Sequence, residues 1–387
     1  MRIAIVSDCY LPRLGGIEVQ TSELAARLVA AGHAVEVFTL TPADGFDDSR
    51  LPHPLRRMPS PVPLPNGMLV NPLAAPHLRA RLRDGQFDVV HAPVGVLSPF
   101  AFDGVRIALA LGIPVAVTWH SMVARFGLAW SATGLLDAWA ARGVVLSAVS
   151  QVAADAVSQA SRRGVEVAVL PNGIDLPTWW QTRLPADPAA TDDVRVESDA
   201  GVESAGGVRV VSAMRLAPRK RPLHLLDIMR RARELAPNAG ITLELVGEGE
   251  LRGRIERAVR AHGDEAWVSL PGRLSRDELR ARYRAADLYV SPVKLEAFGI
   301  AALEARCCGL PVVGYSGSGV TEFVQHGLNG LLVGSDDEAA RALARLASDT
   351  PEREAMRLHN LTVRPERFDW PQVVEATLAE YARAGAG

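Results

Sequence analysis

Short runs of apolar, β-branched residues alternate with stretches of helical periodicity along both halves of the chain. A short apolar run predicts a buried strand, and strands that alternate with helices are typical of parallel sheets. The strands expected in the first half are Ile3–Val6, Val35–Thr39, Val89–His91, Val115–Thr118, Leu146–Val149 and Val167–Leu170. Those expected in the second half are Arg209–Ala213, Thr242–Val246, Trp267–Leu270, Leu288–Val290, Pro311–Val313 and Gly330–Val333. The pattern therefore predicts an α/β fold with two Rossmann-like domains.

A break in this pattern separates the two halves. Residues 176–207 are rich in Pro, Ala, Asp, Glu and Gly and have little periodicity, which is typical of a linker or a loosely ordered insertion. We therefore expect a first domain over residues 1–175, a linker over 176–207 and a second domain over 208–368. Residues 369–387 form a separate helical pattern with an apolar face made of Val373, Val374, Leu378 and Tyr381.

Composition and charge narrow the classes of function. The chain has 387 residues, of which 48% are hydrophobic and 22% are charged, as in a globular protein. A net charge of −2 supplies no long-range field for a polyanion, so we expect no nucleic-acid partner. The three cysteines, Cys9, Cys307 and Cys308, lack metal-like spacing and indicate buried thiols in a reducing compartment.

The expected location is the cytoplasm. The sequence starts directly with a strand-like segment, and its apolar runs are too short or too interrupted for a signal peptide or a membrane span. Peripheral contact with the inner membrane face stays open because several arginines lie near apolar residues, although a solvated face is the favoured interpretation of them. These arginines are Arg56, Arg57, Arg79, Arg81 and Arg83.

Two cations and two carboxylates carry the strongest functional signal. Arg215 and Lys220 follow one predicted strand, and Glu296 and Glu304 follow another. Cations donate hydrogen bonds and suit a diphosphate, whereas ionised carboxylates accept them and suit the hydroxyls of a sugar or ribose. Lys220 and Lys294 are the only lysines in a chain with forty arginines, so a point charge at these positions is a candidate for a specific role. The set predicts a pocket for a nucleotide sugar.

Glu296 and Glu304 could instead be the paired carboxylates of a glycosidase. If the residues between them are helical, the two carboxylates lie ~12 Å apart along the axis. Glycosidases require separations of about 5–5.5 Å or roughly 6.5–9.5 Å. The expected spacing therefore favours two contacts along an extended ligand.

Turns after the strands supply further candidates, because ligands of open α/β sheets bind at the carboxyl ends of strands. Gly15 and Gly16 allow close approach of a phosphate or sugar ahead of a helix expected from about Val19, although a tight turn also explains them. His120 ends a strand and is a candidate site residue, although a lone histidine is often structural. Weaker candidates lie in other turns and are Asn172, Gly247, Arg273 and Glu322. Glu322 follows a predicted strand-to-helix turn at Gly317-Ser318-Gly319.

These motifs resemble family 4 of the glycosyltransferases, which are retaining enzymes of the GT-B architecture. The likeness covers nearly the whole chain and rests on Arg215-x4-Lys220, Glu296–Glu304 followed by Cys308-Gly309-Leu310-Pro311, Leu170–Asp175, Gly15-Gly16 and Thr118-x-His120. The resemblance implies two Rossmann-like domains facing across a cleft, with the acceptor on the first domain and the nucleotide sugar on the second. It also implies a C-terminal helix that crosses back to the first domain. The chain departs from the family pattern at Met214, where glycine is more usual, and in the insertion after Leu176.

The resemblance also implies roles for individual residues. Arg215 and Lys220 would hold the donor diphosphate and stabilise the leaving nucleotide. Glu296 would bind hydroxyls of the transferred sugar, Glu304 the ribose and His120 a sugar hydroxyl. Gly16 and the backbone around Phe298, Gly299 and Ile300 would pack on the donor phosphate or sugar, and Glu322 is a further candidate.

The expected activity is a retaining transfer of a hexose that needs no metal and no cofactor. The opening Tyr10-x-Pro12-x-x-Gly15-Gly16-x-Glu18 is similar to transferases that act on phosphatidylinositol, so GDP-mannose with a lipid-linked or inositol-type acceptor is preferred. UDP-linked sugars such as UDP-N-acetylglucosamine, and small-molecule glycan acceptors, are alternatives. A nucleotide-sugar epimerase, a non-catalytic nucleotide-binding protein and a nicotinamide-dependent oxidoreductase remain as other classes; the last lacks G-x-G-x-x-G after the first strand.

Overall fold

A computed structural model of the chain describes residues 1–13, 15–58, 62–63, 69–71, 73–123, 127–180 and 207–386. The described residues form two compact units. The first unit contains Met1–Gly173 and Arg367–Gly387, and the second contains Ile174–Glu366. Most of the linker predicted over 176–207 lies outside the described residues.

The first unit is built on a parallel sheet. Its strands are β1 (Arg2–Ser7), β2 (Ala34–Thr39), β3 (Leu55–Arg57), β4 (Val62–Pro63), β5 (Leu69–Val70), β6 (Val89–Val94), β7 (Val115–Trp119), β8 (Val145–Ala148) and β9 (Ala168–Val169). Seven of them form one sheet in the order β3-β2-β1-β6-β7-β8-β9, while β4 and β5 form a separate antiparallel pair. The central strands are apolar and buried, as strands covered on both faces must be.

The helices of the first unit are α1 (Gly16–Ala30), α2 (Ala74–Asp84), α3 (Pro99–Leu111), α4 (Gly127–Thr133), α5 (Leu135–Ala140) and α6 (Gln151–Gln159). Local sequence explains where some of them begin and end. Helix α3 begins with Pro99, which suits a first helical position, and ends at Gly112 in the left-handed region. Helix α6 begins after Ser150, whose side chain accepts a hydrogen bond from the Ala153 N–H.

The second unit is also built on a parallel sheet. Its elements are α7 (Leu176–Trp179), β10 (Arg209–Ala213), α8 (Pro222–Leu235), β11 (Thr242–Val246), α9 (Arg252–His262), β12 (Val268–Gly272), α10 (Arg276–Ala285), β13 (Leu288–Val290), α11 (Ile300–Cys307), β14 (Val312–Tyr315), β15 (Gly330–Val333), α12 (Asp336–Ser348) and α13 (Thr350–Thr362). The strand order is β12-β11-β10-β13-β14-β15. This is the order 3-2-1-4-5-6 of a Rossmann fold. The predicted α/β class with two Rossmann-like domains is therefore confirmed.

The last helix, α14 (Trp370–Arg383), packs within the first unit. Asp369 caps its start by accepting a hydrogen bond from the Trp370 N–H. Near its other end, the buried Tyr381 hydroxyl lies 2.8 Å from Nδ1 of His91 on β6. The apolar residues Val373 and Val374 are buried, so the helix contributes to the core of the first unit.

Two features of the described residues bear on ligand binding and on membranes. The strand order reverses next to β1 in the first sheet and next to β10 in the second, which is where ligands of such sheets bind. None of the helices in the described part of the chain is both long enough and apolar enough to cross a bilayer.

Candidate functional site

Lys220 and Glu296 lie at the point where the strand order of the second sheet reverses. Lys220 ends a short 3-10 turn (Pro218–Lys220) after β10, and Glu296 lies in the loop after the neighbouring strand β13. The Lys220 ammonium Nζ donates a hydrogen bond to Oε2 of Glu296. Their side chains are 22% and 18% exposed, so the pair is shielded but reachable by a ligand. The structure thus brings together one cation and one carboxylate of the predicted set.

Arg215 lies on the same loop as Lys220, also after β10. Its side chain is exposed, and its backbone carbonyl accepts a hydrogen bond of 2.8 Å from the Ala217 N–H. The loop therefore presents a second cation to solvent on the side of the sheet where the strands end.

The expected spacing of Glu296 and Glu304 was based on a wrong assumption about the helix. Helix α11 begins only at Ile300, so Glu296 lies in a loop and the two carboxylates do not share one helix. Glu304 is 8% exposed and lies near Cys308. Burial is the main reason that the pKa of the Cys308 thiol is raised to about 12, and the Glu304 carboxylate adds to this rise.

The segment before α11 can offer its backbone to a ligand. Phe298 is 2% exposed, and its ring packs against Phe323 with 5.6 Å between ring centroids. Gly299 has a φ of +93°, a left-handed conformation that favours glycine, and it leads directly into Ile300 at the start of the helix. The first N–H groups of a helix have no partner inside it, so this end suits an anion.

Gly15 and Gly16 precede α1, which begins at Gly16 rather than near Val19. A Cβ at position 15 would lie 2.5 Å from Oε2 of Glu18, whereas a Cβ at position 16 would meet nothing within 4 Å. Glu18 is 5% exposed and forms an ion pair of 3.0 Å with Arg13. Glycine at 15 therefore makes room for the protein's own carboxylate, and only Gly16 has open space beside it.

His120 follows β7 in the first unit and is half-buried. Burial lowers its pKa to about 4, although a hydrogen bond with the Asn172 side chain acts in the opposite direction. The imidazole is therefore neutral at pH 7. A neutral ring can both donate and accept, which suits a sugar hydroxyl.

A small cavity lies beside His120 and Asn172. Its volume is about 20 Å³, and Gln20, Thr21, Gly173 and Trp370 are among its lining residues. On this scale one water molecule needs about 10–15 Å³, so the cavity is too small for a sugar. It is a feature of the packing around Asn172 and not a binding site for a donor.

The remaining candidates occupy separate turns of the second unit. Gly247 has a φ of +135°, and a Cβ there would lie 1.9 Å from the Met214 carbonyl oxygen, so the glycine permits a close backbone approach. Arg273 is exposed after β12. Glu322 is half-buried in a short 3-10 turn, Gly319–Glu322, where the sequence had predicted the start of a helix. That turn is tied to the site because the Gly319 N–H donates to the Glu296 carbonyl at 2.8 Å.

Of the three cysteines, two fit the expectation of buried thiols. Cys307 and Cys308 are buried, but Cys9 is only half-buried. It lies in the loop after β1. Among the described residues, no three His, Cys, Asp or Glu side chains come close enough together to hold a metal ion.

Sequence reasoning missed a charged cluster beside Lys220 and Glu296. Asp336, at the start of α12, accepts hydrogen bonds from Arg221, Tyr315 and Lys294. Although partial burial acts to raise it, these hydrogen bonds hold the pKa of Asp336 well below its usual range. The rarity of lysine pointed to Lys294, but no sequence signal distinguished Arg221 from the other arginines.

Comparisons with known proteins agree with this arrangement. A family model described as Glycosyltransferase Family 4 matches residues 14–177, and one described as Glycosyl transferases group 1 matches residues 197–359. The solved structure of Anabaena HepE in complex with UDP has the same fold, with a TM-score of 0.77, 21% identity and coverage of 99% of this chain and 100% of that chain.

Two curated relatives align over nearly their whole length. One is a GDP-mannose-dependent alpha-(1-6)-phosphatidylinositol monomannoside mannosyltransferase of Mycobacterium tuberculosis, 28% identical over 99% of this chain and 98% of that protein. The other is a D-inositol 3-phosphate glycosyltransferase of Pseudarthrobacter chlorophenolicus, 29% identical over 96% of this chain and 90% of that protein. Two Rossmann-like units with these matches define a glycosyltransferase of the GT-B class. The chain is therefore a glycosyltransferase, and its first half is similar to glycosyltransferase family 4.

Proposed function

We propose that this glycosyltransferase moves a hexose from a nucleotide diphosphate sugar to an acceptor hydroxyl, with retention of the anomeric configuration and without a metal ion. The single observation that carries the proposal is the contact of Lys220 with Glu296 where the strand order reverses. A cation and a carboxylate at that position match the two ends of an activated sugar, which are a diphosphate and a set of hydroxyls.

The chemistry of the leaving group explains the cations. As the bond from the anomeric carbon to the diphosphate oxygen breaks, negative charge develops on that oxygen. Arg215 and Lys220 would stabilise this charge, and fixed charges aimed at a developing anion are among the largest contributions to catalysis. Because these side chains can supply the positive charge, the proposed reaction uses no metal.

Glu296 would exchange its partner when the donor binds. In the structure, its carboxylate accepts a hydrogen bond from Lys220. With donor, Lys220 would turn to the diphosphate and Glu296 would accept from hydroxyls of the sugar. Retention follows if the acceptor oxygen attacks from the side on which the diphosphate leaves and passes its proton to the leaving oxygen, so no side chain becomes bonded to the sugar.

The similarity to the two curated relatives supports a particular donor and acceptor. One relative is named for GDP-mannose and a phosphatidylinositol mannoside, and the other for an inositol phosphate. We therefore propose GDP-mannose as the donor and a lipid-linked or inositol-type acceptor, with the nucleotide sugar bound in the second unit and the acceptor in the first. In the first unit, neutral His120 is assigned to a sugar hydroxyl.

The proposal is tested by incubating the purified enzyme with GDP-mannose, UDP-glucose, UDP-N-acetylglucosamine or ADP-glucose, each with phosphatidylinositol mannoside or inositol phosphate. We expect transfer from GDP-mannose, an α-linked product by NMR and unchanged turnover in excess EDTA. Transfer only from a UDP- or ADP-sugar would refute the donor, a β-linked product would refute retention, and loss of turnover in EDTA would refute metal independence. Epimerised donor without acceptor would indicate an epimerase instead.

Variants test the assignment of the residues. Lys220→Ala should lower kcat by roughly 100-fold or more, as does removal of one donor to a developing oxyanion. Glu296→Gln should also lower kcat, because the neutral amide is a weaker acceptor for the sugar hydroxyls than the carboxylate. Arg219→Ala is the matched control, since Arg219 is an exposed cation in the same turn and should be dispensable. Turnover close to that of the parent enzyme in either site variant would contradict the assigned roles.

A further inference from the structure

The turn that carries Lys220 and the loop that carries Glu296 are joined at two adjacent points. Lys220 bonds to Glu296, and the next residue, Arg221, donates from Nη1 to the Pro292 carbonyl oxygen at 2.8 Å. Two cross-links one residue apart restrict rotation of the turn more than one would. The second link involves a side chain that the proposed reaction does not use.

Asp336 attaches both segments to rigid elements. Its Oδ2 accepts from Arg221 Nη2 at 2.5 Å, while its Oδ1 accepts from the Tyr315 hydroxyl at 2.5 Å and lies 3.0 Å from Lys294 Nζ. Tyr315 is the last residue of β14, and Asp336 is the first residue of α12. Arg221 therefore connects the turn to the sheet, and Lys294 connects the Glu296 loop to the same carboxylate.

The backbone at Arg221 adds a second reason to assign it a special role. Its φ is 59°, in the left-handed region where a residue other than glycine is strained. A strained backbone conformation is maintained only where surrounding contacts stabilise it. Here the Arg221 guanidinium donates hydrogen bonds to the Asp336 carboxylate, the Pro292 carbonyl and the Tyr315 hydroxyl. This left-handed residue sets the direction in which the chain leaves Lys220 and enters α8.

We propose that Arg221, anchored by Asp336 together with Lys294, is a positioning residue that fixes the turn carrying Lys220 beside the loop carrying Glu296. The inference rests on the proposed function, because it assigns Arg221 an effect that passes through Lys220. The Arg221 side chain is only 15% exposed, which fits a support better than a group that contacts the donor. A lysine ammonium cannot replace Arg221, because only the planar guanidinium with its several N–H groups reaches all three acceptors at once.

A double-mutant cycle in the full-length enzyme tests this role. Arg221→Ala should lower kcat by about tenfold or more, because a misplaced catalytic group loses much of its effect. Asp336→Asn should act in the same direction, and Arg221→Lys should restore part of the loss at most. In a Lys220→Ala background, Arg221→Ala should change kcat less than twofold, since residues that act as a unit are not additive. Independent, multiplying effects would overturn the proposal.

A glycine variant separates positioning from stability. Glycine adopts the left-handed conformation without strain, so Arg221→Gly should keep the melting temperature within a few degrees while kcat still falls. Full turnover in Arg221→Gly would overturn the proposal, as would a loss of activity that follows the melting temperature across all variants. Arg219→Ala should resemble the parent enzyme. If Lys220→Ala alone left turnover unchanged, the proposed function of Lys220 would fail, and the positioning role with it.

Discussion

The side-chain amide of Gln20 holds both polar groups of the Gly173 backbone. Its Nε2 donates to the Gly173 carbonyl at 3.0 Å, and its Oε1 accepts from the Gly173 N–H at 2.9 Å. Gln20 lies on α1, and Gly173 is the last residue of the first stretch of the first unit. Because Asn172 is the neighbour of Gly173 and bonds to His120, Gln20 fixes the turn that holds this imidazole.

Removing this amide should destabilise the protein. Gln20→Ala leaves two buried backbone groups without partners, and we expect the free energy of unfolding to fall by about 2 to 3 kcal/mol. Urea unfolding followed by circular dichroism measures this change, provided that the m-value is unaffected. Gln372→Ala on the exposed face of α14 is the control and should stay within about 0.5 kcal/mol of the parent. Equal stability of the two variants would show that the hydrogen bonds between Gln20 and Gly173 contribute nothing to the free energy of unfolding.

A second prediction concerns the packing of Trp370 on Gly173. A Cβ at position 173 would lie 2.5 Å from Cδ2 and Cε3 of the Trp370 indole, which is 2% exposed. We expect Gly173→Ala to lower the free energy of unfolding by about 1 to 3 kcal/mol, because the ring must shift in a packed interior. Gly253→Ala in α9 is the matched control, since a Cβ there meets only the end of Arg257, and it should stabilise by up to about 1 kcal/mol. Wild-type stability in Gly173→Ala would refute the close contact.

Gly247 provides a third prediction. Its φ of +135° and the 1.9 Å distance from an added Cβ to the Met214 carbonyl oxygen leave no room for a side chain. The obstacle is backbone on a neighbouring strand end, so it cannot rotate away as a side chain could. We expect Gly247→Ala to lower the melting temperature by roughly 2 to 8 °C, corresponding to the loss of about 1 to 2 kcal/mol in a domain of this size. Calorimetry that showed an unchanged transition would contradict the geometry.

The sequence predicted the sheets well because buried parallel strands are continuous apolar runs. Each of the twelve expected strands is present, with ends that differ by at most a few residues. The edge strand β3, Leu55–Arg57, escaped notice because two of its three residues are arginines. The helical spacing assumed between Glu296 and Glu304 was wrong, because helix α11 begins only at Ile300, directly after Gly299.

The site was only partly predictable, because its contacts join residues far apart in the chain. The spacing of Arg215, Lys220 and Glu296 indicated a class of ligand, and the strand order places Lys220 and Glu296 in contact. Arg221 and Asp336 meet across 115 positions, and neither belongs to a motif. His91 and Tyr381 meet across 290 positions, which no local pattern reveals. Local sequence patterns therefore predict secondary-structure elements and the class of ligand. The contacts that support the site can be identified only once the fold is known.

The buried His91 gives the protein a defined dependence of stability on pH. Burial, followed by the charge of the nearby His120, lowers the pKa of His91 to about 3, and its ring nitrogens face the hydroxyls of Tyr381 and Thr118. The unfolded chain regains an ordinary pKa of about 6.5, so between pH 6.5 and 3 it binds more protons than the folded chain. Stability from His91 is therefore complete above pH 6.5 and falls as the pH decreases.

The matched variant isolates this contribution from those of other groups. Asp8 changes the stability in the opposite direction, because burial raises its pKa to about 6 in the folded chain. As the pH falls below 6, the folded chain binds more protons at Asp8 than the unfolded chain does, so the folded state gains stability. Comparing the parent with His91→Gln cancels the effect of Asp8. We expect the parent's advantage over His91→Gln at pH 7.5 to shrink by about 2 kcal/mol at pH 5, measured by urea unfolding at both pH values. If the difference in the free energy of unfolding between the parent and His91→Gln stayed constant from pH 7.5 to 5, His91 would have the same pKa in the folded and unfolded chain. Its burial between Tyr381 and Thr118 would then have no electrostatic cost.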